Sequence, residues 1–112
     1  MLDISTSQRA LVLGLMLRRL PHCSATAFGS RVSTWPSRSN PKPYSDLDIA
    51  LWGLRPGDDL ALAHLRADLE DSALPWRVDL SDARDLPDGL RQLVLRHGLP
   101  LPGQVEQAPL AV

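Results

Sequence analysis

Apolar residues recur at helical spacing from Ser7 to Leu20. Leu11, Val12, Leu15 and Leu20 share a broad face, while Gln8, Arg9, Arg18 and Arg19 are polar. Ser5 or Ser7 is placed to cap this helix, and Pro21 ends it. Leu13, Met16 and Leu17 widen the apolar face, so cover is expected on more than one side, from the rest of the domain or from a partner protein. Ala25-Thr26-Ala27-Phe28 reads as a short strand ended by Gly29-Ser30. The pattern then lapses. Residues 31–44, RVSTWPSRSNPKPY, hold three Pro and no hydrophobic period, which predicts an exposed loop. Leu47, Ile49 and Leu51 alternate with Asp48, Ala50 and Trp52, a strand ending before Gly53. Arg55-Pro56-Gly57 is a turn, and Asp58 is expected to cap a helix running to about Asp71 with the stripe Leu62, Leu65 and Leu69. Pro75 closes the connection to a third strand, Trp76 to Leu80. A last helix runs from about Asp88 to His97, with Leu90, Leu93 and Val94 on one side and Gly98 as its stop. The order helix, strand, loop, strand, helix, strand, helix describes a small α/β sandwich with helices packed on a sheet.

At 112 residues the chain fits one domain. We place it at residues 1–101, with 102–112 as a flexible tail. Twelve Lys and Arg against thirteen Asp and Glu leave a formal charge of -1. That balance argues against a general nucleic-acid surface, so no direct nucleic-acid contact is expected. The single cysteine, Cys23, excludes an internal disulfide, a zinc finger and a CxxC redox site, and it reads as a small buried residue or a bystander. The apolar stretch Leu11–Leu17 is too short to span a membrane, and no basic region precedes it as in a secretory signal. The expected compartment is the cytoplasm.

The chemistry concentrates in Ser45-Asp46-Leu47-Asp48. On a strand Asp46 and Asp48 point to one face, with Cα atoms about 7 Å apart. Such a pair repels itself unless a cation intervenes, which suits Mg²⁺, a hard ion that takes oxygen ligands. Asp79 alternates with Val78 and Leu80 on the third strand, and joins the other two if the strands are adjacent. Crowded carboxylates without a cation raise one another's pKa values. The bland alternative is a solvated strand edge. Gly29-Ser30 directly after a strand offers backbone N–H groups and a hydroxyl to terminal phosphate oxygens, although an ordinary Gly-Ser turn has the same sequence.

Two segments together carry a resemblance. Ala27-Phe28-Gly29-Ser30-Arg31-Val32, followed by Lys42-Pro43-Tyr44-Ser45-Asp46-Leu47-Asp48-Ile49-Ala50, resembles the signature of the minimal nucleotidyltransferases, the short branch of the DNA polymerase beta-like superfamily. Leu74-Pro75-Trp76-Arg77-Val78-Asp79-Leu80 is similar to the branch's third-carboxylate strand, and Gly89 to Gly98 to its closing helix. The resemblance runs from about Gln8 to Leu101. It implies a small mixed sheet with helices packed on it, the polymerase beta-like nucleotidyltransferase fold. It also implies Asp46, Asp48 and Asp79 as metal-binding and catalytic residues, holding two Mg²⁺ (or Mn²⁺) ions. Gly29, Ser30 and Arg31 would form the ATP-binding turn. The expected activity moves AMP from ATP onto a hydroxyl, a tyrosine in some pairs, of a HEPN-domain toxin encoded nearby. The chain would then be the antitoxin half of a hetero-oligomer. One departure is the stretch between Ser30 and Asp46, fifteen residues long, which enlarges the family's loop at about 32–43. Two alternatives follow: a family member that neutralises its partner by binding alone, or a small-molecule nucleotidyltransferase. Little chain after Leu101 remains to bind a small acceptor, which argues against the latter.

Other residues carry weaker signals. Arg31 suits a phosphate, a carboxylate or a structural role. Lys42 is a candidate for the polyphosphate, and Tyr44 for packing at the sheet edge. Trp35 either tucks onto the domain or faces a partner. Trp52 and Trp76 read as packing at strand ends. His22, His64 and His97 show no zinc-ligand spacing in the sequence.

Overall fold

Ser5 opens the first helix, α1 (Thr6–Arg19), with a reciprocal cap. Its Oγ accepts the Gln8 N–H at 3.1 Å, and the Gln8 side chain accepts the Ser5 N–H at 2.9 Å. Arg18 and Arg19 in the last turn suit the negative end of the helix dipole. Val12, Met16 and Leu20, four residues apart, are all buried. The computed structural model describes residues 2–33, 35–36 and 45–101. Most of the enlarged loop, including Lys42 and Tyr44, and the tail at 102–112 lie outside the described residues.

The strands are β1 (Ser24–Phe28), β2 (Leu47–Trp52), β3 (Val78–Asp82) and β4 (Leu99–Pro100). The second and third helices are α2 (Asp59–Glu70) and α3 (Asp88–His97), and a single 3₁₀ turn, Ala83–Asp85, follows β3. The sheet order is β3-β2-β1-β4. β1 is antiparallel to β2 and to β4, and β2 is parallel to β3, so the sheet is mixed. The parallel step needs a crossover, which α2 supplies.

Alternation divides the strands between two layers. Ala25, Ala27, Leu47, Ile49, Leu51 and Leu80 pack with Val12, Met16 and Leu20 of α1 and with Leu65 and Leu69 of α2. On the other side Phe28 and Ala50 pack with Ala83, Leu86 and Val94. The broad face of α1 is thus covered by the sheet and by α2, to which Arg19 is tied through Asp68 at 2.7 Å. Leu11 remains at the surface. Among the described residues no helix is long and apolar enough to cross a membrane.

Two expectations are corrected and a fourth strand is added. The third strand begins at Val78, two residues later than Trp76, and extends to Asp82. Trp76 is instead buried in the larger core. Polar Ser81 and Asp82 stay in the strand because they pair with Ala50 and Leu51 of β2, and the Asp82 carboxylate accepts the Arg84 N–H that starts the 3₁₀ turn. The added strand, β4, is too short for any periodicity to reveal, and Pro100 is tolerated because it sits on an edge strand. The second correction is at Asp58, which precedes α2 but makes no side-chain cap, since its carboxylate turns back to Arg55 and His22.

Candidate active site

The parallel pairing sets Asp48 opposite Asp79, and the antiparallel pairing sets Phe28 opposite Asp48. Leu47 and Ile49 face the core shared with α1 and α2, as do Val78 and Leu80. Asp48 and Asp79 therefore stand on the α3 side of the sheet. Asp46 immediately precedes β2 and is exposed, as is Asp79, whereas Asp48 is half-buried. Burial pushes the Asp48 carboxyl up to about 6, reinforced by the negative charges of Asp79 and Asp46. The three acids thus share one end of the sheet, where Asp48 feels the charges of the other two.

Gly29, with φ of 83°, closes β1 against this carboxylate. A Cβ on Gly29 would meet Asp48 Oδ2 at 2.6 Å and force that carboxylate aside, and the positive φ strains any other residue there. Ser30 follows in a turn whose Val32 N–H donates to the Gly29 carbonyl at 3.0 Å. A second turn, Trp35 N–H to the Val32 carbonyl at 3.1 Å, brings the Trp35 ring to 5.7 Å from that of Phe28. Val32 itself is fully buried and bridges to Leu2, so the base of the enlarged loop is anchored by the N-terminal segment.

Arg31 is a buried cation inside this framework. Its Nε donates to the Ser45 carbonyl at 2.8 Å and its Nη1 to the Asp3 carbonyl at 2.9 Å. The guanidinium also lies over the Trp76 ring, 4.7 Å from its centre. Burial pulls its pKa below the ordinary value, while the Asp3 and Asp46 carboxylates oppose that shift. Arg31 thereby joins the N-terminal segment, the residue before Asp46 and the entry to β3. A surface cavity of about 340 Å³ runs along β3 and is lined by Asp79, Trp76, Arg77 and Arg66 among others; Gly29, Ser30, Asp46 and Asp48 lie outside it.

The donor set around Asp48 suits a hard divalent ion. It offers carboxylate oxygens whose mutual repulsion a cation relieves, beside a cradle that a single Cβ would fill. The aspartates are not the tightest cluster. Among the described residues, the trio of metal-capable donors lying within 4.8 Å of one another is His22, Cys23 and Asp58. His22 Nε2 is 2.7 Å from Asp58 Oδ2, which also accepts the Arg55 N–H at 2.7 Å. The sequence did not reveal this group because Asp58 lies far along the chain. Its one signal was topological: the antiparallel β1–β2 pair sets Ser24 against Trp52, and so brings the residues before β1 near those after β2.

No family model matches the chain. It is 37% identical over 93 residues to the probable protein adenylyltransferase MntA of Haemophilus influenzae, covering 83% of this chain and 77% of that relative. Among solved structures it is similar to a minimal nucleotidyltransferase, with a TM-score of 0.61 and 31% identity over 85% of this chain and 90% of the other. It is also similar to a mutant of the toxin–antitoxin pair MntA–HpeT, with a TM-score of 0.59 and 28% identity over 83% of this chain and 70% of that one.

Proposed function

Since this chain belongs to the MntA-like minimal nucleotidyltransferase family and is a nucleotidyltransferase of the polymerase beta-like fold, we propose that it moves AMP from ATP onto a tyrosine hydroxyl of a HEPN-type toxin, acting as that toxin's antitoxin. The observation that carries this reading is the pairing of Asp48 with Asp79 across adjacent strands, with Gly29 closed on the Asp48 carboxylate. The relatives, a probable protein adenylyltransferase and a toxin–antitoxin pair, support a protein acceptor and a toxin–antitoxin setting.

Asp46, Asp48 and Asp79 are the residues to hold Mg²⁺ or Mn²⁺. When bound, such ions neutralise the triphosphate and acidify the acceptor hydroxyl. Gly29 and Ser30 form the turn to receive the terminal phosphates. Arg31 supports that turn from beneath, because its guanidinium holds the Ser45 carbonyl next to Asp46. Asp79, exposed opposite Asp48, would take the proton of the incoming hydroxyl. The hydroxyl oxygen bonds to the α-phosphorus of ATP, the α–β phosphoanhydride bond breaks, and pyrophosphate leaves. The domain proper is assigned to residues 1–101.

The test is to incubate the protein with the protein encoded beside it, Mg²⁺ and labelled ATP, and to locate the label by mass spectrometry. An AMP adduct on a tyrosine of the neighbour is the expected result. Label on a small molecule, or none on either protein, contradicts the reading.

A further inference from the structure

Cys23 directly precedes β1 and Gly29 directly follows it, so His22, Cys23 and Asp58 gather at the end of the sheet away from the catalytic aspartates. We propose that these three residues form a separate site for Zn²⁺ or a similarly thiophilic divalent ion. The inference does not depend on the transfer reaction. A thiol, an imidazole and a carboxylate make a ligand set that zinc takes and magnesium does not. Ligands of a tetrahedral zinc lie about 3.3–3.6 Å apart, given bonds of about 2.0–2.3 Å. Donor atoms already within 4.8 Å reach that spacing by short side-chain rotations. The 2.7 Å contact between His22 Nε2 and Asp58 Oδ2 is held by a proton, and the ion takes the proton's place.

The surroundings are organised for such a role. The Arg55 N–H orients the Asp58 carboxylate from outside, as outer-shell groups orient metal ligands. Gly53, with φ of 89°, turns the chain over the His22 carbonyl, where a Cβ would sit 3.5 Å away. That turn holds the loop carrying Asp58 against the His22-Cys23 backbone. Asp58 also lines a surface cavity of about 170 Å³ in which Arg55, Arg66 and Arg84 stand among Asp59, Asp82 and Asp85, so the approach to the trio is open and of mixed charge. Three protein ligands leave the fourth zinc position for water. The ion would fasten the end of α1 and the start of β1 to the loop that enters α2.

The experiment titrates Co²⁺ into the full chain after chelator treatment and thiol reduction, following the thiolate-to-cobalt charge-transfer band in the near ultraviolet. Cys23 is the sole cysteine, so any such band reports this thiol. One equivalent should saturate the band, and stoichiometric Zn²⁺ should abolish it. His22→Gln, at a side chain only partly covered, should weaken Co²⁺ binding at least ~10-fold. Asp48→Asn should leave the band unchanged, which separates this site from the aspartates. Absence of the band in the reduced parent protein overturns the proposal, and so does a band that His22→Gln and Asp58→Asn both leave intact.

Discussion

Asp48 carries a carboxylate that works against stability, at a position proposed to hold a metal ion. Its carboxyl is pushed up to about 6 by burial and by the charges of Asp79 and Asp46, against about 4 in an unfolded chain. Below pH 4 the group is protonated in both states and costs nothing. The penalty grows as pH rises from there and is complete above pH 6. In chelator, Asp48→Asn should therefore match the parent near pH 4 and exceed it above pH 6. The gain should be on the order of 1–2 kcal/mol, discounted for partial exposure. Thermal melts from pH 4 to 8 measure this, and a parent protein more stable than the variant at pH 7.5 contradicts it. Gly29→Ala should lower stability by about 1–2 kcal/mol, from the positive φ and the closure on Asp48. Urea unfolding gives that number. The faces of Asp48 and Asp79 were legible in the sequence because each stands between apolar neighbours, whereas Asp46 follows Ser45 and lies just outside β2. The surroundings of Arg31 were not legible, since Asp3, Ser45 and Trp76 come from three separate stretches of chain.

At the scale of elements, the helices declared themselves by their apolar stripes, with a side-chain cap made only at α1, and all three stand within about two residues of their expected ends. The strands were harder to bound. β3 is held by its ladder with β2 rather than by its own alternation, so it slides past the apolar run that marks it in sequence. β4 exists only because Leu99 and Pro100 meet β1, and nothing local announces it. The loop after Ser30 is fixed at its base by Val32, Leu2 and Arg31 together. Arg31→Met should consequently cost ~2–3 kcal/mol, because it removes two charge-assisted hydrogen bonds to carbonyls. It should also weaken Mg²⁺-ATP binding by displacing Ser45 and Asp46. Chemical denaturation and calorimetry on the same variant read both effects; unchanged nucleotide affinity with reduced stability would confine Arg31 to the fold.

For the whole molecule, the claim is that a small mixed sheet gathers three carboxylates at one end to transfer a nucleotide to another protein. Asp79 isolates that claim. It is exposed, and its neighbours Val78 and Leu80 supply the packing of β3. Asp79→Asn should thus shift stability by less than about 0.5 kcal/mol. Neutralisation by contact alone predicts that the variant protects cells as well as the parent does. The decisive measurement is the rate of label transfer from ATP to the HEPN-type neighbour for the parent and for Asp79→Asn, beside growth of cells expressing that neighbour. Loss of a catalytic base predicts a fall of about 100-fold or more in transfer, together with failed growth rescue. Undetectable transfer by the parent, with growth rescued equally by both versions, would contradict the enzymatic account.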